Sequence, residues 1–182
     1  GDIKGAEKVV GNAFTMLLCT GVLLTVAGLL FKKPLLYAFG ASDATFPFAD
    51  SYLSIYLLGC TFVTVSLGMN SYINAQGFAR MGMVTTLIGA VLNIILDPLF
   101  IFTMGMGIRG AAIATVISQL ASAIWTVRFL TSPKAILRIR VSCMRPCLKT
   151  IRDIAALGLS NFMMSITNSI VQVVCNSTLS LY

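Results

Sequence analysis

Five long apolar runs, nearly free of charge, decide what this chain can fold into. They are Val9–Phe31, Ser51–Ala79, Met81–Ile108, Gly110–Val127 and Ile154–Tyr182. An α-helix rises about 1.5 Å per residue and a bilayer core is about 30 Å thick, so each run is about the length of one crossing. A water-soluble helix of that length needs a polar outer face, which these runs lack. Only 10% of the residues are charged and 57% are hydrophobic, where soluble domains carry about 25% charged residues. The fold class expected is all-α: a polytopic membrane protein with five transmembrane helices.

The basic residues fall between the runs and sort by side. Lys4, Lys8, Arg80, Arg128, Lys134, Arg138, Arg140, Arg145, Lys149 and Arg152 lie on one side, against Lys32, Lys33 and Arg109 on the other. That asymmetry predicts a cytoplasmic N-terminus for the chain and a fifth span ending outside, with basic residues setting orientation rather than binding nucleic acid. Lys32-Lys33-Pro34 is read as the close of the first span, and its connection continues through Gly40-Ala41-Ser42-Asp43 to Asp50. The longest connection, 131–153, is basic. Within it Pro146-Cys147-Leu148-Lys149-Thr150-Ile151-Arg152 reads as an interfacial amphipathic turn, either a linker that anchors topology or a segment that meets lipid phosphate.

The chain has no histidine, so imidazole metal sites and His-based triads are excluded, and one intramembrane carboxylate does not make an aspartyl protease. No enzyme is expected. Cys19, Cys60, Cys143, Cys147 and Cys175 include no CxxC pair and read as free thiols. No signal peptide is seen, and the chain ends within an apolar run, as a fragment of a longer protein would.

Asp97 is the only carboxylate between Ser51 and Arg152, and it lies in an otherwise uncharged span. A charge there costs several kcal/mol unless it faces a polar cavity, has a partner or titrates for a purpose. Spans three and four form a hairpin centred near Met106, which sets Asp97 level with Thr115 and Asn93 level with Gln119. Such oxygens suit Na⁺, and the desolvated carboxylate suits a proton. Pro98 withdraws the donor that the Ile94 carbonyl would take, so the helix should bend or loosen there. Gly110, Ala114, Ser118, Ala121 and Ser122 form a small-residue stripe read as packing. Span two carries Tyr52, Tyr56, Asn70 and Asn74.

Four stretches carry a family resemblance. They are Gly40-Ala41-Ser42-Asp43, Asn74-Ala75-Gln76-Gly77-Phe78-Ala79-Arg80, the run from Leu92 through Asn93, Asp97 and Pro98 to Phe102, and the run from Gly105 through Arg109-Gly110 and Thr115 to Gln119. With them the chain resembles the multidrug and toxic compound extrusion (MATE) family. The resemblance implies a twelve-helix, two-lobe transporter fold of which the chain covers about helices three to seven. Residues 1–130 would be helices 3–6 of the N-terminal lobe, with spans about 9–31, 51–75, 82–104 and 110–130. Residues 131–153 would be the inter-lobe linker and 154–182 the first helix of the C-terminal lobe.

It further implies an antiporter in the cytoplasmic (inner) membrane, exchanging H⁺ or Na⁺ for organic, often cationic, drugs, with no resident cofactor. Asp97, Asn93, Thr115 and Tyr52 would couple the ion and Asn70 would line the drug cavity, where Gln119 is also placed. The partners would be the drugs, the bilayer and the transporter's remaining helices, one of which would bring a second aspartate. The family often has proline where Ser160 stands, and one branch uses a glutamate that Ile154–Tyr182 lacks. Two other readings remain at this level. One is a lipid-linked oligosaccharide or polysaccharide precursor flippase of the same superfamily, which would line its cavity with Lys and Arg. The other is a truncated membrane protein that transports nothing, since half a cavity gives no alternating access.

Overall fold

The computed structural model describes residues 3–144 and 146–179, without the side chains of 141, 160, 161, 176, 177 and 179. Arg145, Tyr182 and the side chain of Ser160 thus lie outside the described residues. The described part is all-helical: α1 Ile3–Ala38, α2 Phe46–Leu58, α3 Cys60–Ala75, α4 Ala79–Pro98, a π-helical turn Leu99–Thr103, α5 Gly107–Thr131, a short 3-10 turn Val141–Cys143 and α6 Leu148–Leu179. α1, α4 with its π turn, and α5 are each long and apolar enough to cross a membrane. The number rises to five if α2 with α3, and the two bent parts of α6, each make one span.

Three local expectations change. α1 does not close at Lys32-Lys33-Pro34 but runs to Ala38 with Pro34 inside it. The Lys32 ammonium is neutralised 2.8 Å from Asp50 and bonds Ser54 of α2 at 3.1 Å, so it need not mark a helix end. The second run is not one straight helix, since α2 and α3 meet at 53°. At the break the N–H of Gly59 bonds the Tyr56 carbonyl three residues back, a tightened turn that redirects the axis. Glycine is required there, because a Cβ on it would lie 2.6 Å from Val116 Cγ2 of α5. The turn read within 146–152 is mostly the opening of α6, which starts at Leu148.

α5 occupies the middle of the bundle, packed against α2, α3 and α4, while α1 packs against α2 and α3. Its buried face carries Ala112, Ala114, Ser118, Ser122 and Thr126. The small-residue stripe thus lets neighbouring backbones approach, as in other membrane bundles. Gly105 (φ 64°) and Gly107 (φ 54°) turn the chain from the π segment into α5 through the left-handed region, which glycine adopts without steric cost.

The basic connection is not a loose loop. Asn12 of α1 accepts a 2.7 Å bond from the Cys147 N–H and donates to the Lys8 and Cys143 carbonyls at 2.8 and 3.3 Å. Thr15 donates to the Met144 carbonyl at 3.0 Å, and Arg140 reaches the buried Glu7 carboxylate at 3.1 Å. Gly11 makes room, since a Cβ there would lie 2.6 Å from the Cys143 oxygen. Asn12→Ala orphans one donor and one acceptor and should cost about 1–2 kcal/mol. Amide hydrogen exchange of residues 140–150 should then rise, and unchanged exchange would show that Asn12 is not the clamp.

Cys147 sits just before α6, where the N–H and then the hydroxyl of Thr150, followed by the Lys149 N–H, stabilise its thiolate and lower its pKa from the ordinary 9.0. All five cysteines are free. At pH 7.5 a water-soluble reagent should alkylate Cys147 readily, and Thr150→Val should slow the reaction. An unchanged rate in the Thr150→Val protein would refute the assignment.

Candidate functional site

α3, α4 and α5 enclose a polar cavity of about 240 Å³. α3 contributes Ser66 and Asn70, α4 contributes Thr85, Thr86 and Asn93, and α5 contributes Thr115, Ser118, Gln119 and Ser122. Its walls close because Gly89 of α4 faces Ser122, where a Cβ would lie 2.7 Å from the serine oxygen. Ser122 also donates to the Thr85 carbonyl at 3.2 Å, binding the two helices by a side chain that belongs to the cavity.

At one end of this cavity Asn93 bridges two helices. Its amide nitrogen donates to Asp97 Oδ1 at 3.2 Å and, at the long limit of 3.5 Å, to Thr115 Oγ1. Thr115 can accept because its own hydroxyl proton goes to the Ala111 carbonyl at 2.9 Å. An amide nitrogen has two hydrogens, so one group serves both partners. Asp97, Asn93 and Thr115 are all half-buried. Among the described residues the carboxylate is therefore held by a neutral donor and by no cation.

Across the hairpin it is Asn93 that reaches Thr115, and no bond joins Thr115 to Asp97 among the described residues. α4 loosens in the segment after Pro98. The Leu99 N–H bonds the Leu96 carbonyl, and the Met104 N–H bonds Leu99 five residues back. A five-residue repeat is wider than a four-residue one. The loosening expected at Pro98 thus takes the form of a π turn, and α4 with that turn remains one 25-residue span.

Asn70 and Gln119 line the cavity, and Asn70 Oδ1 is buried with no hydrogen-bond partner among the described residues. Gly82 permits the approach of α4 to this face, since a Cβ on it would lie 3.0 Å from Asn70 Oδ1. Tyr52 stands apart. It stacks on Tyr56 (centroids 6.0 Å apart, planes 13° apart) and lines a separate apolar depression with Leu36, Phe48 and Ile108. No hydrogen bond joins its hydroxyl to Asn93, Asp97 or Thr115 among the described residues. Ser66, Thr85, Thr86, Ser118 and Ser122 were missed as lining groups. For the two serines of α5 the signal existed: Thr115, Ser118, Gln119 and Ser122 recur at three- and four-residue spacing on one helix face.

The family model described as MatE matches residues 1–99. The chain is 26% identical over 162 residues to the multidrug export protein MepA of Staphylococcus aureus (strain bovine RF122 / ET3-1), covering 89% of this chain and 36% of that protein. It is 27% identical over 165 residues to MepA of Staphylococcus saprophyticus, covering 91% and 37%. The chain thus spans little more than a third of the length of the curated relatives it matches. Two solved structures of a multidrug resistance MATE family transporter of the MOP superfamily are also similar. The inward-facing one superimposes with TM-score 0.86 at 27% identity, over 94% of this chain and 39% of that chain. The outward-facing one gives 0.85 at 28% identity, over 93% and 38%. The all-helical membrane bundle, the long apolar helices and the match across residues 1–99 agree, and the chain belongs to the MATE family of membrane transporters.

Proposed function

We propose that this chain is part of a secondary active exporter that exchanges H⁺ or Na⁺ for organic, often cationic, molecules across the cytoplasmic membrane. In this reading Asp97, Asn93 and Thr115 make one half of the ion site, and a carboxylate from a helix outside this chain makes the other. The observation that carries it is the Asn93 amide held between Asp97 and Thr115 at the end of a polar cavity. A carboxylate oxygen, a hydroxyl and the amide oxygen of Asn93 offer hard ligands to Na⁺, while protonation of Asp97 would cancel the one charge in the span. Either event alters what Asn93 can donate to. The loading state of the ion is thereby passed to α5, at the cavity that Asn70 and Gln119 line.

The near-equal likeness to inward- and outward-facing structures supports a lobe that keeps its form while the transporter alternates. The basic asymmetry supports a cytoplasmic N-terminus for the chain. The names of the relatives support drugs as cargo. Among the described residues no Lys or Arg lines the cavity, which disfavours transport of a pyrophosphate-linked lipid.

The test is efflux of a fluorescent cationic dye from proteoliposomes of the transporter that carries this chain, under imposed Na⁺ or pH gradients. Dissipating one of the two gradients should stop accumulation. Accumulation that persists with both collapsed would sink the antiport reading.

A further inference from the structure

A second concave surface lies on a different face of α5 from the polar cavity. Phe14 and Leu18 of α1, Phe62 and Val65 of α3, and Ile124 and Val127 of α5 are among the walls of an apolar groove of about 440 Å³. Along α5 it runs from Leu120 to Thr131, ending at Arg128 and Thr131. Eleven residues of helix rise ~16 Å, half the thickness of a ~30 Å hydrocarbon core. The groove therefore has the depth of one leaflet, apolar along its length and charged at its end.

Arg128 also borders a smaller depression of about 180 Å³, which Trp125, Ser132 and Lys134 line. The guanidinium and the Lys134 ammonium are exposed, and neither has an acidic partner within 4.0 Å among the described residues. Beside them the Trp125 indole N–H is buried with no hydrogen-bond partner among the described residues. A buried indole N–H ordinarily finds an acceptor, and one without it carries a desolvation cost. Two unpaired cations and an unmet donor at the mouth of a leaflet-deep apolar groove together present one chemistry: a hydrocarbon chain ending in an anion with acceptor oxygens.

We propose that this groove binds one anionic phospholipid, an acyl chain lying along α5 between α1 and α3 and the phosphate lying among Arg128, Lys134 and the Trp125 N–H. Charge complementarity selects the occupant. A helix or a neutral lipid would fill the apolar part but leave both cations and the indole unsatisfied. Basic pockets between spans at the basic membrane face favour anionic headgroups, each Lys or Arg near the surface strengthening binding about fivefold. The site is separate from the Asp97 cluster and stands whether or not the antiport reading holds.

The test is native mass spectrometry of the purified, detergent-solubilised protein titrated with phosphatidylglycerol, with phosphatidylcholine, or with inorganic phosphate alone. One phosphatidylglycerol should be retained, and phosphatidylcholine retained about tenfold or more weakly. Arg128→Gln and Lys134→Gln should each weaken phosphatidylglycerol about fivefold, and together about 25-fold, with Lys33→Gln at the other membrane face as a silent control. Ile124→Trp, an exposed position within the groove, should displace the acyl chain while leaving the charges in place. Equal retention of both lipids, or no loss in the Arg128/Lys134 double variant, would overturn the headgroup assignment. An unaffected Ile124→Trp protein would overturn the groove. Arg128-dependent binding of inorganic phosphate as tight as that of the lipid would mean a free-anion site instead.

Discussion

Asp97→Asn is expected to abolish ion-coupled export while leaving the protein folded. The substitution keeps the shape of the side chain and an oxygen that can accept the Asn93 hydrogen, now 3.2 Å away. Only the charge and its capacity to bind H⁺ or Na⁺ are removed. Because a carboxylate in a span is costly, its neutral counterpart should melt at the same temperature or higher. Coupling free energies between linked sites are about 1–3 kcal/mol, so loss of the ion's grip should reduce gradient-driven transport by ~10-fold or more. Transport and thermal stability measured on the same preparation separate a broken mechanism from a broken fold. An Asp97→Asn protein that still exports dye with unchanged ion dependence would remove Asp97 from the mechanism.

Gly110→Ala should give a large structural effect for a single methyl group. A Cβ on Gly110 would lie 2.8 Å from both the carbonyl carbon and the oxygen of Phe100, and 3.0 Å from its Cβ. These are atoms of the π turn, not the far end of a flexible side chain. Relief requires moving α5 away from the turn that sets the position of Asp97. Overpacking of this kind costs about 1–3 kcal/mol, against about 1 kcal/mol gained from replacing glycine by alanine in a helix. Net destabilisation is expected, together with slower transport through the displaced turn. Gly158→Ala in α6 is the control, since nothing among the described residues lies within 4 Å of a Cβ there and the propensity gain is left. Thermal-shift measurements should move the two variants in opposite directions; a Gly110→Ala protein as stable as the unaltered one would show that the contact yields freely.

Much of the candidate site was legible because helix periodicity is local. Four-residue spacing puts Asn93 and Asp97 on one face wherever α4 is packed, and the structure joins them directly. Pro98 announced a disturbance because its missing donor is a property of the residue itself. The disturbance's form was not legible. Whether a released turn bends or widens depends on its neighbour, and here Gly110 lets Phe100 approach. Ser118 and Ser122 read as packing for a related reason: a hydroxyl in a small-residue stripe becomes a cavity wall only when the facing helix stops short of filling the space. Tyr52 was placed by resemblance alone, and its surroundings here are Tyr56 and an apolar depression.

By itself the sequence determined the solvent and the apolar helices that meet it. Hydrocarbon admits only apolar helices with satisfied backbones, and it makes one unpaired carboxylate conspicuous. The tertiary structure alone decided which groups meet. Asn93 reaches Thr115, α2 breaks from α3 at Gly59, and the basic connection is strapped to α1 through Asn12. Each depends on how closely two backbones approach, and that distance is set by glycines and small residues contributed by helices far apart in the chain.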